Sequence, residues 1–347
     1  MPVSDVTTGN ETLGRAARRQ YRILGLTLDT DATFKTQLLP GTADADLTFE
    51  LRQGERLPDW PAPSSSDFES AVRLDDNQPL FSLHRGPQGD LFRFSRVADY
   101  FLTDAAIEGH LLDPDHDFMV ETHFLGMVLS CWLERQGIPV LHASSVSVDG
   151  EAVAFLGTNK AGKSSLAVAL MQRGYPLLSD DLVGLQPSES GIDARPGFPS
   201  MRMWPDLAEF VMGPSWEQLP LAHPRFVKRR LNVGPGGFAE FLDRTQPLAC
   251  LYVPERRDDD AGYVKVDIEP VPPGQALFEL LRGSFLPWLS QVRGFSAGRV
   301  QVLNTLAARV PVRRLVYSGG FENLPAVSER ILEDLAQLDK AGSRGLS

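Results

Sequence analysis

Cysteine is almost missing from this chain. Two occur in 347 residues, Cys131 in an apolar helical run and Cys250 in a strand-like run. That excludes a disulfide framework or a cysteine-built zinc cluster and fits a reducing, cytoplasmic compartment. Basic charge is also short, with 34 Lys+Arg against 45 Asp+Glu and a formal charge of −11. Such a balance disfavours a surface that wraps nucleic acid or anionic lipid, so any anion site must be local. No long apolar run is present. The most apolar window, Phe118 to Leu133, is broken by Glu121, Thr122 and His123. It falls short of the roughly 20 residues that span a bilayer, which points to a core helix and no membrane segment. The first residues carry Asp5, Asn10, Glu11 and Thr12 and then Arg15, Arg18 and Arg19. Without an apolar core this is no secretory signal, and 1–20 is expected to be a polar tail. No repeat or low-complexity tract is evident.

What remains is an ordinary globular composition, 42% hydrophobic and 23% charged. The length is more than twice a one-domain prior of roughly 150 residues. From Tyr21 the apolar residues alternate in short runs, as in Phe81, Leu83 and Arg85 interleaved with Leu80, Ser82 and His84, before the turn Gly86-Pro87-Gln88-Gly89-Asp90. Period 2 with Gly/Pro punctuation predicts antiparallel strands. Residues 21–138 are therefore read as a β-rich domain, structural or peptide-docking, closed by a helix from about Phe118 to Gln136 that stops at Gly137. Beyond it the pattern turns α/β. Val140–Val148 reads as a strand, Asp149-Gly150 as a hairpin turn and Ala152–Leu156 as a buried strand. Further strands are expected at Pro247–Val253 and Val312–Tyr317, and helices at Gln275–Leu281, Arg299–Arg309 and from Pro325. These divide the rest into a domain over 139–320 and a C-terminal helix and tail over 321–347.

Gly157-Thr158-Asn159-Lys160-Ala161-Gly162-Lys163-Ser164, followed by Ser165, matches the phosphate-loop pattern G-x-x-x-x-G-K-[ST], with a strand before it and a helix after it. The chemistry explains the residue types. Gly157 and Gly162 free the backbone to turn successive N–H groups onto phosphate oxygens, and the helix N-terminus adds its own unpaired donors. Lys163 supplies mobile charge to the β and γ phosphates, and the Ser164 hydroxyl is placed for Mg²⁺. Lys160 reads as a solvated side chain or as a contact to substrate phosphate. The bland alternative, a Gly-rich strand-to-helix turn, gives no reason for Lys and Ser at these two offsets.

The helix from Gly162 to Arg173 is roughly 17 Å long at 1.5 Å per residue. Tyr175–Asp180, extended, covers roughly 20 Å. A parallel return of that length brings Asp180 and Asp181 to the sheet edge that carries the loop. One carboxylate can hold Mg²⁺, and the other can orient and deprotonate an attacking hydroxyl. The alternative is a solvated Asp-Asp turn.

Leu141-His142-Ala143-Ser144, the hairpin, the Gly157–Ser164 loop, Arg173-Gly174 and Ser179-Asp180-Asp181 together resemble the catalytic domain of HPr kinase/phosphorylase and its relatives. The resemblance implies a phosphoenolpyruvate-carboxykinase-like P-loop α/β fold behind the β-rich domain, with ATP and Mg²⁺ as cofactors. It also implies Lys163 and Ser164 on phosphates and metal, one aspartate as base, and His142 near the transferred phosphoryl; we assign Asp180 as base and Asp181 as metal ligand. The two aspartates are interchangeable on sequence alone. The acidic signature that follows the aspartates in the HPr-directed enzymes is missing, as is their N-terminal domain. Arg195-Pro196-Gly197-Phe198-Pro199 and Arg202-Met203-Trp204-Pro205-Asp206 instead resemble a branch beside peptide-modifying clusters, which includes lasso-peptide precursor kinases. That branch implies a serine hydroxyl on a peptide or small protein as acceptor.

Other signals are weaker. His142 alone would read as a core histidine. Lys228-Arg229-Arg230, near Arg225, is either a solvated face or a phosphate clamp, and Arg202 could share that clamp role. Asn232–Phe238 reads as an ordinary loop or a flap, Glu255–Asp260 as a solvated loop, and Trp204 and Trp216 as core. The expectation is an ATP-dependent serine kinase, and a homo-oligomer is compatible with it. The rivals are a nucleotide-dependent binding or sensing module without phosphoryl transfer, and a kinase of free serine or another metabolite.

Overall fold

The computed structural model describes residues 17–54, 56–57, 66–189, 191–257, 265–292 and 296–344. Residues 1–16 of the expected polar tail and residues 258–260 of the acidic run lie outside them. Among the described residues the architecture is mixed α/β, with two nine-stranded sheets and one three-stranded sheet.

The first sheet runs from Arg19–Ile23 to Ala106–Leu111 in sequence. Its alternating hairpin, Phe81–Gly86 with Gly89–Phe94, pairs antiparallel as the period-2 pattern predicts. One strand departs from that expectation. Leu47–Gln53 is parallel to both neighbours, Leu26–Thr30 and Ala106–Leu111. Long connections precede and follow it, and only short hairpin loops force antiparallel pairing. One face of the sheet packs on a helical segment made of Asp117–His123, a π-type turn Phe124–Val128, and Leu129–Arg135. Phe49 and Phe124 stack there at 4.0 Å between ring centroids. Gly137, at φ +76°, ends the helix while the Ile138 N–H donates to the Leu133 carbonyl, the closure that a left-handed residue permits. This core also takes in Val140, Leu182, Phe198, Leu286, Leu289 and Val292, so it crosses the expected boundary at residue 138.

In the second sheet, Glu151–Leu156 lies between Gln246–Arg257, parallel to it, and Ala143–Val148, antiparallel to it. Asp149 and Gly150, at φ +51° and +91°, make the tight turn of that hairpin. Val153 and Phe155 face the helix Lys163–Met171, while Ala152, Ala154 and Leu156 face the helices Pro273–Arg282 and Ser296–Arg309. Cover on both faces is why this strand is apolar throughout. The strand after the loop helix, Leu177–Ser179, pairs antiparallel with Ala143–Val148 and is therefore parallel to Glu151–Leu156. It does not neighbour that strand, since Ala143–Val148 is inserted between them, and it is shorter than the sequence suggests.

The three-stranded sheet is Ser200–Met203, Phe226–Asn232 and Leu221–His223. Gln246–Arg257 is longer than expected, so Glu255 is in a strand and not in a solvated loop. Among the described residues, no helix is long and apolar enough to cross a membrane.

Candidate functional site

The phosphate loop joins Glu151–Leu156 to Lys163–Met171, and its backbone needs glycine where the sequence supplies it. Gly162 has φ +90°, and a Cβ there would run into the Tyr317 hydroxyl. At Gly157 an added Cβ would meet the Ala161 Cβ at 2.9 Å. Lys163 is buried and its Nζ donates to the Thr158 carbonyl at 2.9 Å, so the ammonium is folded into the loop. Burial lowers its pKa, while Asp181 and Asp180 act in the opposite direction.

The chain returns along Leu177–Ser179 and sets the two aspartates in different surroundings. Asp180 is 4% exposed. Its Oδ1 accepts from Ser144 Oγ at 2.6 Å and from Ser164 Oγ at 3.1 Å, and its Oδ2 accepts from the Arg202 backbone N–H at 3.2 Å. Burial and then the neighbouring Asp181 charge push its pKa up, against these hydrogen bonds. Asp181 adopts φ +65° and keeps its side chain 23% exposed, with Oδ1 3.7 Å from His142 Nε2. Burial acts to raise its pKa, but the His142 ring and the Arg202 and Lys228 cations outweigh it and hold the carboxyl below the usual carboxylate range.

These groups border a cavity of about 480 Å³ lined by the loop from Asn159 to Ser165, His142, Asp181, Arg202, Trp204, Lys228, Arg256 and Phe321 among others. Asp180 lies behind that wall. His142, its side chain 28% exposed, faces the cavity and is no core histidine. The buried histidines are His123, stacked on Phe94 at 3.6 Å and pushed down to about 3 by burial, and His223. Of the four clamp candidates, Arg202 and Lys228 reach the cavity. Arg229 donates to the Leu219 carbonyl at 3.0 Å and rests on half-buried Trp216, and Arg230 pairs with Glu121 at 3.4 Å. Both are held away by partners of their own.

Trp204 departs from the core reading. It is half-buried on the cavity wall, with Lys160 Nζ 4.7 Å and Lys228 Nζ 5.3 Å from its ring centroid. Lys160 is exposed as expected, yet it is seated on that ring. The Asn232–Phe238 segment is a tight turn closed by Gly237 N–H to the Gly234 carbonyl at 2.7 Å, and it lies outside the cavity lining. Sequence reasoning missed Arg256, Phe321 and the hydroxyl role of Ser144. Arg256 sits in a stretch read as a solvated loop, and only the sheet brings it to the loop. Ser144 had a signal, an internal hydroxyl on a strand buried along its whole length.

Among the described residues no group of three or more His, Cys, Asp or Glu side chains forms a metal cage. One hydroxyl and one carboxylate, Ser164 and Asp180, do converge. That set suits Mg²⁺, which keeps waters and takes its other ligands from substrate phosphates.

No family model and no curated protein matches the chain. Among solved structures it is similar to the Hpr(Ser) kinase/phosphatase from Coxiella burnetii, at 13% identity and a TM-score of 0.29, over 59% of this chain and 98% of that one.

Proposed function

We propose that this protein is an ATP- and Mg²⁺-dependent kinase that transfers the γ-phosphoryl to a serine-type hydroxyl of a peptide or small protein. The observation that carries the reading is the contact of Ser164 Oγ with Asp180 Oδ1 at 3.1 Å, which couples the end of a complete phosphate loop to an acid returning from the next strand. The acceptor class rests on the resemblance in residues 195–206.

In this reading the loop amides, Lys163, Arg202 and Lys228 neutralise the triphosphate, and the oriented donors stabilise charge that spreads over the transferring group. Mg²⁺, held through Ser164 and Asp180, supplies further neutralisation of phosphate charge. The surroundings favour exchanging the roles assigned to the two acids from the sequence. Asp180 is enclosed by three donors and lies against Ser164, which suits the metal side, whereas Asp181 faces the cavity beside His142, where an acceptor hydroxyl can reach it. The hydroxyl oxygen forms a bond to the γ-phosphorus, its proton passes to the Asp181 carboxylate, the bond to the β–γ bridging oxygen breaks, and ADP leaves. The cations that depress Asp181 are the ones a triphosphate recruits, so nucleotide binding makes this carboxylate a better proton acceptor.

The test is transfer of labelled phosphate from ATP to serine-containing peptides. Asp181→Asn is expected to abolish transfer at saturating Mg²⁺, and Asp180→Asn to raise the Mg²⁺ concentration required. The opposite pattern restores Asp180 as base. ATP binding with no transfer to any acceptor points to a sensing module instead.

A further inference from the structure

A second cavity, of about 450 Å³, adjoins the first and shares Asn159, Asp181, Arg202, Trp204 and Lys228 with it. Its outer wall is the hairpin formed by Leu221–His223 and Phe226–Asn232. Near the tip of this hairpin Phe226 and Val227 are 60% and 58% exposed. Both side chains line the second cavity, and exposed Arg225 stands in the turn beside them. Two bulky apolar side chains held largely in solvent on a cavity wall offer contact area to an occupant. The tip is also ordered in advance. The Phe226 ring lies 4.6 Å from the His223 ring, which in turn lies 5.2 Å from Phe118, so one face of Phe226 is supported and the other is open.

We propose that this hairpin is the acceptor platform, and that it selects a peptide in which a bulky apolar residue directly adjoins the phosphorylated hydroxyl. This rests on the kinase reading of the first cavity. Continuity between the cavities argues for this occupant. Asp181 is common to both cavities and shares the second with Phe226 and Val227, so a segment whose hydroxyl meets Asp181 there can set an apolar neighbour against that pair. Free serine offers no side chain for that wall. A pre-ordered aromatic lowers the entropy cost of docking a flexible segment.

The experiment uses the full chain with ATP and Mg²⁺ and two sets of seven-residue peptides, each with one central serine flanked by either Leu or Phe on one set or Gly on the other. Discrimination by one apolar side chain is commonly about 10- to 100-fold in kcat/KM, and a preference of that size for the apolar-flanked set is expected. In Phe226→Ser/Val227→Ser the ratio between the sets is expected to collapse towards one, with ATP affinity and the thermal midpoint measured alongside to establish that the variant is folded. Equal transfer to both sets by the unmodified protein, or an unchanged ratio in the variant, overturns the platform and leaves the kinase reading standing. Failure to transfer to either set while ATP binds also overturns it. Failure to bind ATP removes the kinase reading and the platform together.

Discussion

The buried acids of the first nine-stranded sheet and the acid pair beside the phosphate loop of the second are treated in opposite ways, although elsewhere against the second sheet buried Asp334 closes on Arg313 at 3.5 Å. In the first, each buried acid meets arginines. Asp90 pairs with Arg85 at 3.0 Å and Arg135 at 3.1 Å, and Asp99 pairs with Arg56 at 3.2 Å and Arg93 at 3.7 Å. In the second, Asp180 and Asp181 stand side by side and meet hydroxyls, a backbone N–H and an imidazole, with Lys163, Arg202 and Lys228 arranged around the same cavity. A closed ion pair neutralises itself and holds a fold together. Acids and cations grouped around a cavity are costly until a ligand completes them, and perturbed pairs of that kind mark functional sites.

The sharpest way to break this contrast is Lys163→Ala. Phosphoryl transfer is expected to fall by about 100- to 1000-fold, the cost of removing one charge-stabilising donor, with no change in the far-ultraviolet spectrum. Transfer that persists ends the distinction. The counterpart in the first sheet is Phe49→Ala, which empties the stack on Phe124. A loss of about 3–5 kcal/mol is expected by denaturant titration, with ATP affinity of the folded protein unaltered. Altered affinity well below the unfolding transition would mean that the two sheets are energetically one unit.

Lys228 and Arg230 divide the comparison within a single strand. Lys228→Ala is expected to weaken ATP binding about tenfold by calorimetry, as loss of one charge-assisted contact of about 1.4 kcal/mol would do. Arg230→Ala frees Glu121, which also accepts from the Lys35 and Thr36 backbone N–H groups. It should lower stability by about 1–2 kcal/mol and leave ATP binding intact. The smallest effect concerns Asp180→Asn without ligand. The raised pKa of Asp180 means that the folded state holds its proton more tightly than the unfolded chain, so this carboxyl costs stability as pH rises through and beyond the ordinary carboxylate range. The variant should therefore show a higher thermal midpoint than the parent at pH 7. The gain should disappear below about pH 4, where the parent is protonated as well. A midpoint gain that is flat with pH assigns the effect to packing instead of charge.

Local elements were legible where one short-range rule governs them. The alternation from Phe81 to Phe94, the Asp149-Gly150 turn, the stop at Gly137 and the loop-to-helix junction at Gly162 each follow from a period or from a required positive φ. The parallel course of Leu47–Gln53 was not legible, because direction depends on how a long connection is routed and no residue type encodes it. Arg229 and Arg230 read like Lys228 in sequence, yet each has a partner elsewhere that removes it from the cavity. Trp204 carried a core composition and became a wall, because the strand before it ends where two lysines from different elements converge.

Sequence alone determined that a strand, a glycine-freed loop and a helix stand in that order with a lysine and a serine at the turn, and that two acids follow within one crossover, since these depend on contacts close along the chain. Tertiary structure decided which acid is enclosed and which is open to the cavity, which two of four cations reach it, and that a hairpin from 221 to 232 supplies its far wall. Those outcomes come from side chains far apart in sequence competing for the same space and the same counter-charges, and only the completed packing settles that competition.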